Sequence, residues 1–372
     1  MSSSADNIVR FENVQKSYDG EQLVVKNLNL DIERGEFLTM LGPSGSGKTT
    51  CLMMLAGFEP ATHGEIYLNE QPINNVPPHK RGIGMVFQNY ALFPHMSVAE
   101  NLAFPLEVRK LPKSEIEQKV NRALEMVRLP QFGGRRPAQL SGGQQQRVAV
   151  ARALVFEPDL VLMDEPLGAL DKNLREEMQY EIKHIHESLG VSVCYVTHDQ
   201  SEALTMSNRV AVFDDGIIQQ LAPPDELYER PVNAFVAYFI GENNRLYGTV
   251  KEVKGEKCTV ELDNGGGMVD AMAINIDGVG SRTTLSLRPE RVTLMTGDAS
   301  ADNVLKGKCL EKIYLGDHIR TRIEVAGNDE FIVKVPNAHG HVVLDVGEEV
   351  KLGWASEDCR ALDAPSGGEA PA

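Results

Sequence analysis

The chain has 372 residues, of which 42% are hydrophobic and 24% are charged, and its formal net charge is −16 at pH 7. This length predicts two domains, and the composition is that of soluble globular proteins. The acidity argues against nucleic-acid binding, because neutralising a phosphate backbone requires a basic surface. Binding a single nucleotide needs only a local positive site and is not excluded.

The five cysteines are dispersed and form no Cys-x-x-Cys pair. Such a set is typical of reduced thiols in the cytoplasm. No apolar run approaches the roughly 20 residues needed to cross a bilayer. The N-terminus lacks the basic and apolar regions of a secretory signal. We therefore expect a cytoplasmic protein.

The first part of the chain alternates β-rich runs with helical patterns, which predicts an α/β domain built around a sheet. Strands are predicted at residues 8–14 and 37–41, and the second leads directly into a glycine-rich loop. A helix is predicted to follow at residues 49–55. Residues 114–128 have one apolar face and predict another helix, with Ser114 at its start.

Apolar, β-branched runs at residues 159–164 and 191–197 predict buried parallel strands. Residues 209–213 and 217–221 flank an Asp-Asp-Gly turn and predict a hairpin. From residue 246 onward, short alternating segments are separated by turn signals, and helical periodicity is largely absent. This second part predicts a small, barrel-like, all-β domain.

The glycine-rich loop matches G-x-x-x-x-G-K-[ST] at every fixed position, between a predicted strand and a predicted helix. Its glycines let backbone N–H groups surround phosphates, and the helix N-terminus adds positive potential. Lys48 can reach the β- and γ-phosphates, and the Thr49 hydroxyl can ligate Mg²⁺. Kinases, GTPases and helicases share this loop, so alone it predicts only nucleotide binding. The motif consists of Gly42, Pro43, Ser44, Gly45, Ser46, Gly47, Lys48 and Thr49.

The strand predicted at residues 159–164 ends beside two adjacent carboxylates, Asp164 and Glu165. Side chains at the carboxyl end of a parallel strand point toward the crevice where ligands bind. Asp164 is suited to hold Mg²⁺, and Glu165 is suited to orient or deprotonate the attacking water. An isolated Asp-Glu pair would be better interpreted as surface acids, but the phosphate loop favours catalysis. His198 follows the next buried strand, although a lone histidine is more often structural.

A second motif lies between the phosphate loop and the Asp164 strand: Leu140, Ser141, Gly142, Gly143, Gln144, Gln145, Gln146 and Arg147. It resembles the signature motif of ABC-type ATPases. A Ser-Gly-Gly turn that opens a helix can itself hold an anion. In that family two cassettes pack head to tail. The resemblance therefore implies that each signature closes over ATP held by the other chain's phosphate loop.

The same resemblance implies roles for further residues. Tyr18 matches the aromatic residue that stacks on adenine, and Gln88 matches the glutamine that senses Mg²⁺ and the γ-phosphate. Asp171 matches the aspartate that couples the two sites. His198 matches the switch histidine, which supports a catalytic role for it. Thr50 joins the phosphate loop in the expected ATP-binding set.

One position departs from the family pattern, because many members have a serine where this chain has Gly168. A glycine there removes a hydroxyl from the expected dimer interface. Catalysis is expected to survive, since Glu165 and His198 are both present.

The implied fold is an α/β P-loop NTPase, an ABC cassette with a helical subdomain, followed by a small all-β, OB-like TOBE domain. The chain is similar in this respect to the ATPases of bacterial importers.

His339 and His341 are interpreted as solvated residues and not as metal ligands. The expected boundaries are 1–238 for the cassette, about 89–155 for its helical subdomain, 239–245 for a linker, 246–362 for the TOBE domain and 363–372 for a disordered tail.

Among importers, residues 89–96, residues 167–172 and the C-terminal domain most resemble polyamine (spermidine/putrescine) importer ATPases. Ferric-iron, opine and sugar importers stay open as alternatives. The resemblance implies ATP and Mg²⁺ as cofactors and two copies of the chain on the cytoplasmic face of the inner membrane. There they would dock on two permease subunits, through residues 90–106, and work indirectly with a solute-binding protein.

Two other classes of ATPase share the phosphate loop and the signature. Chromosome-maintenance and DNA-repair ATPases insert long heptad coiled coils between the two motifs. Here the stretch from Lys48 to Ser141 is short and holds a single good amphipathic helix. Soluble ribosome-associated factors normally carry two cassettes, whereas this chain has one. Transport is therefore the favoured interpretation.

Overall fold

A computed structural model describes residues 6–295, 300–338 and 344–364 of the chain. Two compact units are present, Met1–Glu226 and Leu227–Ala372. The division falls before the expected cassette end at residue 238, because the segment after Glu226 binds the second unit. The Tyr228 carbonyl accepts a hydrogen bond from Arg288 at 3.0 Å, and the Asp363 carboxylate accepts one from the Ala234 N–H at 2.7 Å. His339, His341 and residues 365–372 of the expected tail lie outside the described residues.

The first unit contains an antiparallel sheet that the sequence only partly predicts. Its strands, in the spatial order β2-β1-β4-β5, are β1 (Asn7–Ser17), β2 (Leu23–Glu33), β4 (His63–Leu68) and β5 (Gln71–Pro72). The strand predicted at residues 8–14 is therefore present, but it belongs to a separate sheet. Alternate side chains of β2 are buried, as expected for a strand with one face on the core.

The central sheet of the first unit has six strands in the order β10-β9-β3-β8-β7-β6. The strands are β3 (Phe37–Leu41), β6 (Gly84–Val86), β7 (Leu160–Asp164), β8 (Ser192–Thr197), β9 (Arg209–Asp214) and β10 (Ile217–Ala222). All five side chains of β3 are buried, as in a parallel strand covered on both faces. The predicted hairpin is confirmed: β9 and β10 pair antiparallel around Asp215 and Gly216, both left-handed.

Helices cover this sheet and form the helical part of the unit. They are α1 (Lys48–Ala56), α2 (Val98–Val108), α3 (Lys113–Met126), α4 (Gly142–Leu154), α5 (Lys172–Leu189) and α6 (Gln200–Met206). The start predicted for α3 at Ser114 is wrong. Pro112 holds the extended N-cap position, and its carbonyl accepts the N–H groups of Glu115 and Ile116, so Ser114 lies inside the first turn.

Helix α4 is buried on two sides. Ala149, Val150 and Ala153 pack with side chains of the central sheet, whereas Val148 and Ala151 pack with α2 and α3. The helix therefore links the helical part of the unit to the sheet, and the signature residues lie at its N-terminus.

The second unit contains two β structures that share one apolar core. The first is a closed barrel of β11 (Asn244–Lys254), β12 (Lys257–Leu262), β13 (Met268–Ala273), β14 (Arg282–Leu287) and β20 (Cys359–Leu362). The second is a sheet of β15 (Thr293–Met295), β16 (Asn303–Tyr314), β17 (His318–Val325), β18 (Asn328–Pro336) and β19 (Glu349–Trp354). The barrel-like all-β prediction is confirmed, and the additional sheet was not anticipated. Short helices α7 (Pro224–Glu229) and α8 (Ala234–Phe239) precede the barrel.

All five cysteines are free thiols, and all five are buried. Among the helices of the described residues, none has both the length and the apolar character needed to cross a membrane.

Candidate nucleotide-binding site

Four neighbouring strands of the central sheet end at the same edge, and each is followed by a predicted site residue. β3, β8, β7 and β6 are adjacent and parallel. The phosphate loop follows β3, His198 follows β8, Glu165 follows β7, and Gln88 comes two residues after β6. The carboxyl edge of a parallel sheet is where such folds bind ligands. The topology therefore gathers residues that are far apart in the sequence.

The phosphate loop is tightly constrained at its junction with α1. Gly47 is left-handed, with φ of 97°, and a Cβ there would lie 2.8 Å from the Val24 carbonyl oxygen. The buried Lys48 Nζ donates to the carbonyl oxygens of Gly42 and Pro43 at 2.9 and 2.8 Å. Burial lowers the pKa of the Lys48 ammonium. An anion placed in the loop would give this buried cation a charged partner.

Thr49 and Asp164 bring two oxygen atoms together beside the loop. The Thr49 hydroxyl donates to Oδ1 of Asp164 at 3.1 Å. Burial raises the pKa of the Asp164 carboxyl, and the hydrogen bond from Thr49 opposes that shift. Mg²⁺ at phosphate sites is typically held by one or two carboxylates, a hydroxyl and phosphate oxygens. These two side chains fit a magnesium ion that arrives with a nucleotide.

Glu165 is held between residues from two other strands. Its backbone N–H donates to the Val196 carbonyl at 3.0 Å, and its φ is 43°, a left-handed value that is rare for glutamate. Oε2 accepts a hydrogen bond from Nε2 of Gln88 at 3.3 Å. Oε1 lies 3.2 Å from Nδ1 of His198. The carboxylate thus has a neighbour on each side, an arrangement suited to holding a water molecule for attack.

The signature residues begin α4 with a capping box. The Ser141 hydroxyl accepts from the Gln144 N–H at 3.4 Å, and the Gln144 side chain accepts from the Ser141 N–H at 3.0 Å. Gly142 and Gly143 form the first turn, and Leu140 is buried. None of the hydrogen bonds or ion pairs of the described residues joins this segment to the phosphate loop of the same chain.

Tyr18 presents an aromatic ring beside the phosphate loop. Its side chain is 60% exposed, and its hydroxyl lies 3.5 Å from Oγ1 of Thr50. Nζ of Lys16 lies 4.7 Å from the centre of the ring. An exposed ring with an adjacent cation can stack on a flat heterocycle.

Asp171 and Gly168 lie in the loop between β7 and α5. The Asp171 carboxylate caps α5 by accepting from the Leu174 N–H at 3.1 Å. A Cβ added to Gly168 would lie 3.5 Å from the Glu165 carbonyl oxygen, an ordinary contact distance. The position therefore has room for the Cβ of a side chain.

Sequence reasoning missed two arginines that support the site, the buried Arg152 and the partly buried Arg175. Arg152, at the end of α4, donates to the carbonyl oxygens of Tyr90 and Ala91 at 2.8 and 2.7 Å. Both of these residues have left-handed backbone conformations and lie two and three positions after Gln88. Arg175, in the first turn of α5, bonds the Leu170 carbonyl at 3.1 Å and the Asp199 carboxylate at 3.0 Å. No local pattern in the sequence marks either arginine.

Known protein families match both units of the chain. A family model described as ABC transporter matches residues 25–168, and one described as TOBE domain matches residues 285–362. The spermidine/putrescine import ATP-binding protein of Rubrobacter xylanophilus is 45% identical over 361 residues, which cover 96% of this chain and 94% of the relative. The protein of the same description from Thermotoga maritima is 43% identical, with 94% of this chain and 96% of the relative covered.

Two solved structures resemble the first unit. A dimeric ATP-binding cassette in a post-hydrolysis state with ADP and Pi bound is 36% identical, with a TM-score of 0.53. The match covers 58% of this chain and 98% of that one. A Clostridium perfringens protein described as part of an ABC transporter complex is 30% identical, with a TM-score of 0.57, and the match covers 60% and 90% of the two chains.

Proposed function

The chain belongs to the ABC transporter family as an ATP-hydrolysing subunit that energises solute import, and from this premise we propose that its working form is a pair of copies with ATP between them. The observation that carries the proposal is the separation of the two half-sites. Within the described residues, no hydrogen bond or ion pair joins the phosphate loop with Lys48 to the signature with Ser141. A second copy, packed head to tail, would supply the missing half at each site. A cassette structure solved as a dimer is a precedent from a relative.

At each site the loop residues 42–49, with Thr50, would hold the phosphates of ATP, and Tyr18 would stack on adenine. Mg²⁺ would be held by Thr49, Asp164 and Gln88, and it would neutralise charge on the phosphate oxygens. The signature of the partner copy, residues 140–144, would cover the γ-phosphate with the N-terminus of α4.

Hydrolysis would use the side chains around Glu165. This carboxylate would accept a proton from the attacking water, while Gln88 and His198 fix its direction from either side. Asp171 would connect one site to the other across the dimer. Glu165 is the neighbour of both Gln88 and His198 at 3.3 and 3.2 Å, which supports the assignment.

We propose that two copies dock peripherally on the cytoplasmic face of the inner membrane, on two permease subunits, with a solute-binding protein as an indirect partner. The receiving segment would be residues 90–106. Its first two residues are held by Arg152 of α4, so movement of the signature helix and of this segment would be linked. The transported solute would not touch this subunit.

The substrate is proposed to be a polyamine. Relatives described as spermidine/putrescine import proteins align with nearly the whole chain, including the second unit. Ferric iron, an opine or a sugar is the alternative cargo. Uptake of labelled spermidine by vesicles containing the chain with its neighbouring permeases tests this. Uptake should be lost with Glu165→Gln. Vesicles that transport a different solute but not spermidine would contradict the proposed polyamine substrate.

A non-transport role in DNA repair or at the ribosome is the other class. The net charge of −16 disfavours it, since both partners are polyanions. Retention of the chain on duplex DNA or ribosomes at physiological salt would favour that class instead. We propose that the chain has no nucleic-acid partner.

The catalytic assignment is tested with Glu165→Gln in the full chain. This variant should bind Mg-ATP and form a stable dimer, detected by light scattering, while phosphate release falls at least about 100-fold. Lys48→Ala should fail to bind ATP and stay monomeric. Turnover of Glu165→Gln at the wild-type rate would show that this carboxylate is not the catalytic base.

A further inference from the structure

Arg175 joins two loops that carry different site residues. Its guanidinium donates to the carbonyl oxygen of Leu170 at 3.1 Å and to Oδ2 of Asp199 at 3.0 Å. Leu170 directly precedes Asp171, and Asp199 directly follows His198. One planar cation therefore binds the loop of Asp171 and the turn of His198 together.

The Asp199 carboxylate is shared between that arginine and the start of α6. Its Oδ1 accepts from the backbone N–H groups of Ser201 and Glu202 at 2.8 and 3.4 Å. Its own N–H donates to Oγ1 of Thr197 at 3.0 Å. Thr197 and Asp199, on either side of His198, are thus hydrogen-bonded to each other. Arg175 binds Oδ2 of Asp199, the carboxylate oxygen that the helix cap does not use.

The same arginine faces a second, buried carboxylate. Glu202 accepts from the hydroxyls of Tyr195 and Thr197 at 2.7 and 2.6 Å. Its other oxygen lies 3.9 Å from Nε of Arg175, and that buried Nε makes no hydrogen bond to the described residues. Since a buried donor without a partner is costly, a small movement of the guanidinium toward Glu202 would be favourable.

We propose that Arg175 is a positioning residue that transmits movement of the Asp171 loop to His198. The inference rests on the proposed roles of Glu165 and His198. A guanidinium fork holds two acceptors at once in fixed geometry, which a flexible ammonium does not. Without it the His198 turn loses its link to the loop that would face the partner copy. Hydrolysis should slow, whereas ATP binding should persist, because the hydrogen bonds and ion pairs of Arg175 within the described residues do not involve the phosphate loop.

A purely structural role, stapling α5 to α6, is the competing explanation. The chain offers a matched control in Lys183, which lies on the same helix and donates to the Thr205 carbonyl of α6 at 2.9 Å. Lys183→Gln removes a cation and a link between the same two helices, but no hydrogen bond or ion pair of the described residues joins Lys183 to Asp171 or His198.

The experiment compares Arg175→Gln, Arg175→Lys and Lys183→Gln in the full chain. We expect kcat of Arg175→Gln to fall about 10- to 100-fold with KM for ATP within about 2-fold, as for loss of orientation at the reacting groups. Arg175→Lys should recover only part of kcat, and Lys183→Gln should match wild type. If Arg175→Gln loses its fold, Asp199→Asn replaces it, since the asparagine can keep the α6 cap while losing the ion pair.

A double-mutant cycle with His198→Ala separates positioning from packing. If Arg175 acts through His198, the double variant is no slower than His198→Ala alone. A double variant whose loss of turnover equals the product of the two single losses would overturn the inference. If Arg175→Gln turns over ATP at the wild-type rate while Glu165→Gln is inactive, the role of Arg175 is overturned and the proposed function still stands. Wild-type turnover of both Glu165→Gln and His198→Ala would overturn the proposed function itself.

Discussion

Nδ1 of His198 lies 3.2 Å from Oε1 of Glu165, although the two residues are brought together from different strands. β7 and β8 pair in parallel, and the Glu165 N–H bonds the Val196 carbonyl of the neighbouring strand. The backbone therefore sets the distance between the two side chains. A change in the His198 turn is expected to reach the Glu165 carboxylate directly.

Replacing His198 by alanine removes one of the two neighbours of Glu165. We expect ATP turnover to fall about 100-fold, as for loss of a group that orients general-base chemistry. Nucleotide affinity should stay within about 2-fold, because the phosphate loop is unchanged. His184→Ala is the control, since this exposed histidine on α5 is paired, among the hydrogen bonds and ion pairs of the described residues, with Glu187 alone, at 3.7 Å. Equal turnover in the two variants would contradict the role of His198.

Removing Arg152 should destabilise the turn that follows Gln88. Arg152→Met leaves two carbonyl groups without their charged donor, at a cost of about 3 kcal/mol, or roughly 5–10 °C in Tm. Arg122→Met is the control, because its side chain is 78% exposed and lies 3.8 Å from its partner Glu157. A surface pair of this kind is worth less than about 1 kcal/mol. Equal Tm values by calorimetry would show that the buried bonds contribute nothing measurable.

Two glycines of the site should differ in how well they tolerate an added side chain. Gly168→Ser is expected to keep Tm within about 1 °C of wild type and turnover within about 2-fold, since the added Cβ makes an ordinary contact. Gly47→Ala should cost about 1–3 kcal/mol, because its left-handed backbone and the 2.8 Å approach to Val24 leave no room. Thermal unfolding with and without ATP measures both. A tolerated alanine at Gly47 would contradict this geometry.

Glu202 should make stability depend on pH. Burial raises the pKa of this carboxyl above its ordinary value of 4.5, Asp199 adds to the shift, and Arg175 with the Tyr195 and Thr197 hydroxyls opposes it. Because the folded chain holds the proton more tightly, this stabilisation is present below pH 4.5 and is lost as pH rises through the raised pKa.

Glu202→Gln cannot titrate, so its Tm should rise relative to wild type as pH increases from about 4.5 to 8. Glu187→Gln, an exposed change on α5, is the control and should show a constant difference. A Tm of Glu202→Gln that falls relative to wild type as pH increases would have the wrong sign and would contradict the burial effect.

Much of the site could be predicted because its motifs are local. The strand, loop and helix around Lys48 follow from eight consecutive residues, and the carboxylates after β7 follow from an apolar run. The alternating burial of β2 follows the alternation of apolar residues in its sequence. Ser114 was misplaced because a preceding proline, which fixes an extended backbone, defines the helix start better than a serine does.

The supporting arginines could not be predicted. Arg152 bonds residues 61 and 62 positions earlier in the chain, and Arg175 reaches Asp199, 24 positions later. Such contacts depend on how α4 and α5 pack on the sheet. The second sheet of the C-terminal unit escaped prediction for a similar reason, since its strands resemble those of the barrel and only their pairing separates them.

The central claim is that each ATP site is built from two copies of the chain. The most direct measurement mixes full-length Lys48→Ala chains with Ser141→Arg chains, each inactive by itself, and records phosphate release. A mixed dimer contains one site with both an intact loop and an intact signature. We predict that part of the wild-type activity reappears on mixing, since only the mixed dimer has a complete site. No recovery, although mixed dimers form, would contradict a composite site.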